Sequence, residues 1–170
     1  NELIITEKSG KIKIVNVKNR NTREINHNLN FLEYGQGGLL DIIYKDGFVW
    51  ISYTEDRGNL KTSTSIAKAK FNKKKIFFKN IFQANPPIDS GYHFGSRLAI
   101  KDNYIFASIG ERGQGMIAQD TRSHPGSIIR IHLDGTIPID NPKFNEKKKL
   151  VTRNLSDRYK ESSRINFITI

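Results

Sequence analysis

The feature that most constrains the fold of this chain is a strand–turn–strand unit that occurs three times. The copies begin at Asn1, Gly47 and Asn103, so they are roughly 45 to 55 residues apart. Each copy contains an apolar strand, a polar connection with glycine, and a second strand in which apolar and polar residues alternate. This spacing lies within or just above the range of four-stranded β-propeller blades. The sequence therefore predicts an antiparallel, all-β repeat with little helix.

A further strand precedes the second and third copies. It covers residues 39–44 before the turn Lys45-Asp46-Gly47, and residues 98–100 before the turn Lys101-Asp102-Asn103. The chain therefore holds about two to three blades, which are too few to close a ring, because each blade buries its faces against its neighbours. We expect the chain to be a fragment, or to complete its fold with other chains. Its first residues already form a strand without an initiator methionine, so we expect the N-terminus to lie inside a fold.

The end of the chain departs from the repeat. Residues 146–170 are highly charged and show no strand–turn rhythm. We therefore divide the chain into a propeller part, residues 1–145, and a divergent charged tail, residues 146–170. A short helix near residues 156–163, an exposed segment and an altered end of the sequence are the alternatives for this tail.

Net charge and composition limit the classes of partner. The net charge of +11 would suit nucleic acid or an anionic membrane. However, the lysine clusters at residues 73–75 and 147–149 lack the interleaved aromatic and arginine residues of a single-strand platform and lie on no groove-binding helix. We expect a solvated basic surface and no nucleic-acid partner. The absence of cysteine excludes disulfides and thiolate metal sites. No apolar run approaches the roughly 18 residues of a membrane span, and no signal segment opens the chain.

His93 is the candidate catalytic residue. It lies between Gly91 and Gly95, directly before two predicted strands. Histidine exchanges a proton near neutral pH, so a histidine on a rigid loop is a suitable general base when a substrate proton lies within reach. A histidine beside a strand is also a common structural or surface residue. The neighbouring residues must therefore decide between these two interpretations.

Other motifs favour structural roles. The glycine-rich segments 35–38 and 110–115 are flanked by strands, so they lack the helix N-terminus of a phosphate-binding loop. Ser90 and Ser96 lack the nucleophile elbow of a serine hydrolase. After the predicted strand that ends at Ile109, we expect three polar residues to fix loops: Glu111, Gln119 and Asp120. The remaining histidines have no partner at ligand spacing, so we assign no metal to them; they are His27, His124 and His132.

Several ordered motifs together resemble a known family. They are Thr6-Glu7 with Gly10-Lys11-Ile12, Gly35-Gln-Gly-Gly-Leu-Leu-Asp41, His93-Phe-Gly-Ser-Arg-Leu98, Ile109-Gly-Glu111, Ala118-Gln-Asp120, Gly126-Ser-Ile-Ile-Arg130 and Asp134-Gly-Thr-Ile-Pro-Ile-Asp-Asn-Pro142. In this order and at blade spacing, from about Leu3 to Pro142, the chain resembles the soluble quinoprotein sugar dehydrogenases of the glucose/sorbosone dehydrogenase family. The resemblance implies part of a six-bladed β-propeller that binds pyrroloquinoline quinone.

The resemblance also implies roles for individual residues. His93 matches the family's general base, which takes the proton of the sugar's anomeric hydroxyl while hydride passes to the quinone. Gln36 matches a glutamine that contacts the substrate. Tyr92 stands where close relatives often have a substrate-binding acid, and this difference leaves the identity of the sugar open. Arg97 belongs to the same motif, and its strand position favours a structural ion pair over a cofactor contact.

The same resemblance implies a sugar substrate, an external electron acceptor, a calcium ion that bridges protein and cofactor, and export to the periplasm or beyond. In the family, later blades supply the calcium ligands and an arginine–asparagine loop. Arg153-Asn154 is similar to that pair, but Leu-Ser-Asp follows it instead of proline and glycine. The alternative function is a non-catalytic propeller that binds carbohydrate or protein. The sugar, the acceptor and the oligomeric state stay open.

Overall fold

A computed structural model of the chain describes residues 2–142 and the short strand 152–154. The described residues form twelve strands and one 3₁₀ helix, Gly115–Gln119. The strands are β1 (Glu2–Glu7), β2 (Lys11–Asn16), β3 (Thr22–His27), β4 (Leu39–Lys45), β5 (Phe48–Asp56), β6 (Thr62–Lys70), β7 (Lys75–Ile76), β8 (Lys79–Gln83), β9 (Gly95–Lys101), β10 (Tyr104–Ile109), β11 (Ser127–His132) and β12 (Thr152–Asn154).

The strands assemble into three four-stranded sheets. Their orders are β1-β2-β3-β7 in the first sheet, β4-β5-β6-β8 in the second and β9-β10-β11-β12 in the third. All pairs are antiparallel except β3 with β7. The hairpins β1-β2, β5-β6 and β10-β11 are the three predicted repeat units. The prediction of an all-β, partial propeller with two to three blades is confirmed.

Strands β4 and β9 are the adjacent first strands of the second and third sheets. They are joined where the Leu98 amide donates to Asp41 Oδ2 at 2.9 Å. Strand β1 runs opposite to β4. The carbonyl of Lys8, directly after β1, accepts from the Leu39 amide at the start of β4 at 3.3 Å, while Leu3, near the start of β1, lines the same groove as Tyr44 near the end of β4. Strand β1 therefore corresponds to β5 and β10, as the repeat predicted.

The second sheet is buried on both faces. One face of β5, including Ile51, packs with Ile12 and Ile25 of the first sheet. The opposite face, including Trp50, packs with Ile105 of the third sheet. Since neighbouring side chains of a strand point to opposite faces, this double burial explains the unbroken apolar run over residues 48–51 of β5. The second sheet thus fixes the loops at its ends relative to both neighbours.

The predicted tail lies largely outside the described residues, and so does the possible helix at residues 156–163. Within the tail, the structure describes β12, which pairs antiparallel with β11 and places Arg153 opposite Ile128. The division of the chain at residue 145 stays a prediction.

Ser96 on β9 is a strained position, and its replacement should stabilise the protein. Its φ is +85°, which is unfavourable for any residue with a Cβ, and its buried hydroxyl has no hydrogen-bond partner among the described residues. Glycine removes both costs, so we expect Ser96→Gly to raise the free energy of unfolding by about 1 kcal/mol. Urea unfolding followed by the fluorescence of Trp50, the single tryptophan, measures the change.

Ser127→Gly is the matched control, because Ser127 is equally buried but lies in β11 without a positive φ. There glycine adds flexibility to a strand and should lower the stability. A Ser96→Gly variant that is less stable than the wild type would contradict the assignment of strain at this position.

Candidate active site

The candidate site lies where three loops meet at one end of the sheets. These loops lead into β4 (residues 34–38), lead into β9 (residues 90–94) and leave β10 (residues 110–114). Strands β4 and β9 begin side by side, and β10 is antiparallel to β9, so it ends where β9 begins. The topology therefore brings segments that are distant in sequence to one end of the inner strands.

The imidazole of His93 is exposed at this end and is held by an acid. Its side chain is 54% exposed, and its Nδ1 is hydrogen-bonded to Oε1 of Glu111. A carboxylate oxygen accepts hydrogen bonds and donates none, so Nδ1 must be the donor and the neutral ring carries its hydrogen there. Nε2 then has the free electron pair that a general base needs.

Glu111 is held as a carboxylate. It also accepts a hydrogen bond from the amide of Gly113 at 3.1 Å. Burial raises the pKa of Glu111, but the hydrogen bonds from His93 and from backbone amides lower it more, so this pKa lies below its ordinary value. Glu111 therefore fixes its own turn, as predicted for a loop residue, and in addition orients His93. The residue pattern alone did not predict the second contact.

Gln36 and His93 are brought into contact, although 56 residues separate them in the chain. The side-chain oxygen of Gln36 accepts from the His93 amide at 2.9 Å, and the Gln36 amide donates to the Gly91 carbonyl at 2.7 Å. The Gln36 side chain is exposed, and among the described residues its NH₂ group has no hydrogen-bond partner. That group is available to a ligand at the same end of the sheets.

Two glycines permit this close assembly. A Cβ on Gly35 would lie 2.3 Å from the Gly91 carbonyl oxygen, and one on Gly110 would lie 1.8 Å from the His93 carbonyl oxygen. Neither distance is possible for a real side chain, so both positions require glycine. The glycine-rich motifs thus serve close packing of the three loops.

Tyr92 and Arg97 flank the imidazole in the sequence. The Tyr92 side chain is largely exposed, and its ring lies edge-on to His93 with 6.3 Å between the ring centroids. Arg97 is 83% exposed and its Nη1 lies 3.4 Å from Asp41 Oδ2. An ion pair at this exposure adds little stability. The guanidinium therefore links the beginnings of β9 and β4 while most of it stays open to solvent.

Two of the other histidines bind backbone atoms. His27 Nε2 contacts the Gly10 carbonyl at 2.8 Å, and His124 Nδ1 contacts the Asn85 carbonyl at 3.1 Å. Within the described part of the chain, no group of three or more acidic or histidine side chains could hold a metal ion. Among the same residues, no helix has the length and apolar character needed to cross a bilayer.

Comparison with known sequences gives consistent matches. The family model described as Glucose / Sorbosone dehydrogenase matches residues 1–152. The aldose sugar dehydrogenase YliI of Escherichia coli is 34% identical over 122 residues, which cover 66% of this chain and 33% of that protein. The quinoprotein glucose dehydrogenase B of Acinetobacter calcoaceticus is 27% identical, with 85% and 37% covered. The chain thus spans about a third of the length of these relatives.

Solved structures share the fold. The soluble aldose sugar dehydrogenase of Escherichia coli in its apo form matches with a TM-score of 0.79 and 28% identity, over 85% of this chain and 44% of that one. The aldose sugar dehydrogenase of Streptomyces coelicolor in its PQQ-bound form matches with a TM-score of 0.74 and 22% identity, over 84% and 45%. At that identity, the second match shows a common fold alone.

Proposed function

The chain belongs to the glucose/sorbosone dehydrogenase family, and from this premise we propose that it carries the general base of a quinone-dependent aldose dehydrogenase. The proposed reaction oxidises a sugar at its anomeric carbon to the lactone. The observation that supports it most is the imidazole of His93, which is 54% exposed and has its Nδ1 bound to a carboxylate. This arrangement suits the removal of one proton from a hydroxyl group.

In the proposed reaction, His93 Nε2 takes the proton of the anomeric hydroxyl. The oxygen then forms a double bond to carbon as the C–H bond breaks and its two electrons leave with the hydrogen as hydride. When bound, pyrroloquinoline quinone would supply the acceptor for that hydride. Glu111 stabilises the positive charge on His93, and the exposed ring afterwards releases its proton to water.

Gln36 and Tyr92 are proposed to contact the sugar. The free NH₂ group of Gln36 can donate to a sugar hydroxyl. The exposed Tyr92 ring offers an apolar face and a phenol next to the base. Since tyrosine is uncharged at neutral pH, we expect selection by shape and neutral hydrogen bonds at this position. The identity of the aldose follows from those contacts.

The described residues fit the quinone in part. Arg97 is a largely exposed cation four residues beyond the proposed base, and a guanidinium suits the carboxylates of the quinone. Its contact with Asp41 favours the structural ion pair as its main role. For calcium, the described residues offer no cluster of ligands. We therefore propose that calcium ligands lie outside these residues, and that the complete protein is needed for activity.

Expression of the complete reading frame tests this function. With added quinone and calcium, we expect dye-linked oxidation of an aldose to its lactone, and no turnover when the quinone is left out. An external acceptor and an exported location are part of the same proposal. The alternative, a carbohydrate-binding propeller without catalysis, is favoured by tyrosine in place of an acid at residue 92. It predicts saturable sugar binding with no oxidation under any of these conditions.

A further inference from the structure

Arg112 is a buried cation whose partners are almost all carbonyl oxygens. It is 2% exposed, and its guanidinium carbon lies 3.7 Å from the centre of the Phe94 ring. Among the described residues, no carboxylate lies within ion-pair distance of it. Burial lowers the pKa of Arg112 to about 10, and the nearby Glu111 carboxylate opposes that change, so the side chain is charged at neutral pH. A buried charge with only neutral hydrogen-bond partners is costly, so its retention needs a reason.

The guanidinium connects the second sheet to the loop that carries His93. On β6 it donates to the Thr62 carbonyl at 3.2 Å and to the Thr62 hydroxyl at 2.7 Å. On the loop it donates to the Tyr92 carbonyl at 3.0 Å and to the Ser90 carbonyl. Four contacts from one rigid, planar group fix both the distance and the orientation of the loop relative to β6.

The result is a loop in which every carbonyl from Ser90 to Phe94 is bound. The Arg112 side chain holds two of them, and its amide donates to a third, on His93, at 3.4 Å. The Gln36 amide holds the Gly91 carbonyl, and the Phe94 carbonyl accepts from Thr64 Oγ1 and from the Gly110 amide. His93 has a φ of +48°, a conformation that persists only where the surroundings enforce it.

We propose that Arg112 is a positioning residue for His93, acting through the backbone of residues 90–93 without touching the substrate. The proposal rests on the proposed function for the role of His93 as base. Removing the guanidinium frees two loop carbonyls that directly precede that histidine, those of Ser90 and Tyr92. The imidazole then loses its fixed direction toward both Glu111 and the substrate, and a displacement of about 1 Å at such a group can cost about 100-fold in rate.

Arg112→Lys is the main test, because lysine keeps the charge but lacks the planar fork that binds β6 and the loop at the same time. Arg130→Lys is the matched control. Arg130, whose side chain is 25% exposed, also stacks on an aromatic ring, at 4.9 Å from the centre of Tyr104, but it binds Asn141 and Asp140 away from the site. The variants are made in the full-length protein, and their folding is checked by circular dichroism.

The first measurement does not depend on activity. Nitrogen NMR of the His93 ring reports its tautomer, and hydrogen exchange reports the order of residues 90–94. In the wild type and in Arg130→Lys we expect a single form with hydrogen on Nδ1. In Arg112→Lys we expect mixed tautomers and amide exchange at least about tenfold faster. In a protein that oxidises aldoses, kcat should also fall at least about tenfold, with KM changed less than about twofold.

If Arg112→Lys does not fold, Thr62→Val removes the hydroxyl contact on β6 and should produce the same changes to a smaller extent. The Ile88 carbonyl, which also accepts from that hydroxyl at 3.3 Å, keeps its bond from the Thr62 amide. A folded Arg112→Lys variant with wild-type tautomer and exchange would overturn the proposal. If Arg112→Lys changes the tautomer and the exchange but the wild-type protein oxidises no sugar, the positioning role is supported and the enzymatic function is refuted. The two failures are therefore distinguishable.

Discussion

His93→Ala should lower the rate of quinone-dependent aldose oxidation by about 100-fold or more, because loss of a general base typically has an effect of that size. The variant keeps the glycines and the backbone contacts of the loop, so sugar binding should change much less than turnover. Dye-linked assays on the full-length protein measure the rate. His132→Ala is the control, since His132 ends β11 and its ring packs against Tyr104 of β10, away from the three loops.

Imidazole in the buffer gives a second readout for the same variant. The His93 ring is more than half exposed, so its removal leaves a space that solvent can enter. Added imidazole should restore part of the rate in His93→Ala and leave the wild type unchanged. If His93→Ala oxidised aldoses within a few-fold of the wild type, another group would be the base.

Glu111→Gln should lower turnover by about 100-fold. A glutamine amide can donate to Nδ1, and the ring hydrogen then moves to Nε2, where it blocks the acceptance of a proton. Even when the amide oxygen accepts from Nδ1, the charge that stabilises protonated His93 is absent. Steady-state kinetics measure kcat and KM, and we expect the loss in kcat. Glu33→Gln is the control, because Glu33 is an exposed acid whose ion pair, among the residues that the structure describes, is with Lys8 near the same end.

The pH dependence of stability follows from the same contact. The pKa of Glu111 is lower in the folded protein than its ordinary value. Its contribution to the free energy of unfolding is therefore complete above that ordinary value and is lost as the pH falls through the lowered one. Glu111→Gln should flatten the acid side of the curve of unfolding free energy against pH. Equal turnover in Glu111→Gln and wild type would show that the acid does not orient the base.

Much of the fold was predictable because its signals are local. Strands β5 and β10 begin with apolar, aromatic-rich runs directly after short turns, and their partners β6 and β11 alternate apolar and polar residues over part of their length, so the local sequence specifies them. The two-residue strand β7 was not predicted, since its pairing with β3 joins residues that are about 50 positions apart. Such a pair depends on how the first two sheets pack, and the periodicity of apolar residues does not predict that packing.

The candidate site, like the fold, was predictable only in part. Family motifs placed His93 and Gln36 in one pocket, and the structure joins them through the His93 amide. Glu111 and Arg112 follow β10 in a polar, glycine-rich turn, which by composition is typical of an exposed loop. Their roles arise only when the ends of β6, β9 and β10 converge. A sequence pattern cannot identify such side chains, because their partners come from several loops that are distant in the sequence.

A crystal structure of the full-length protein with quinone and an aldose would test the central claim most directly. We expect His93 Nε2 within about 3 Å of the anomeric hydroxyl oxygen, with Nδ1 still bound to Glu111. A sugar held by other loops, with the His93 imidazole facing away from its anomeric carbon, would contradict the assignment of His93 as the base.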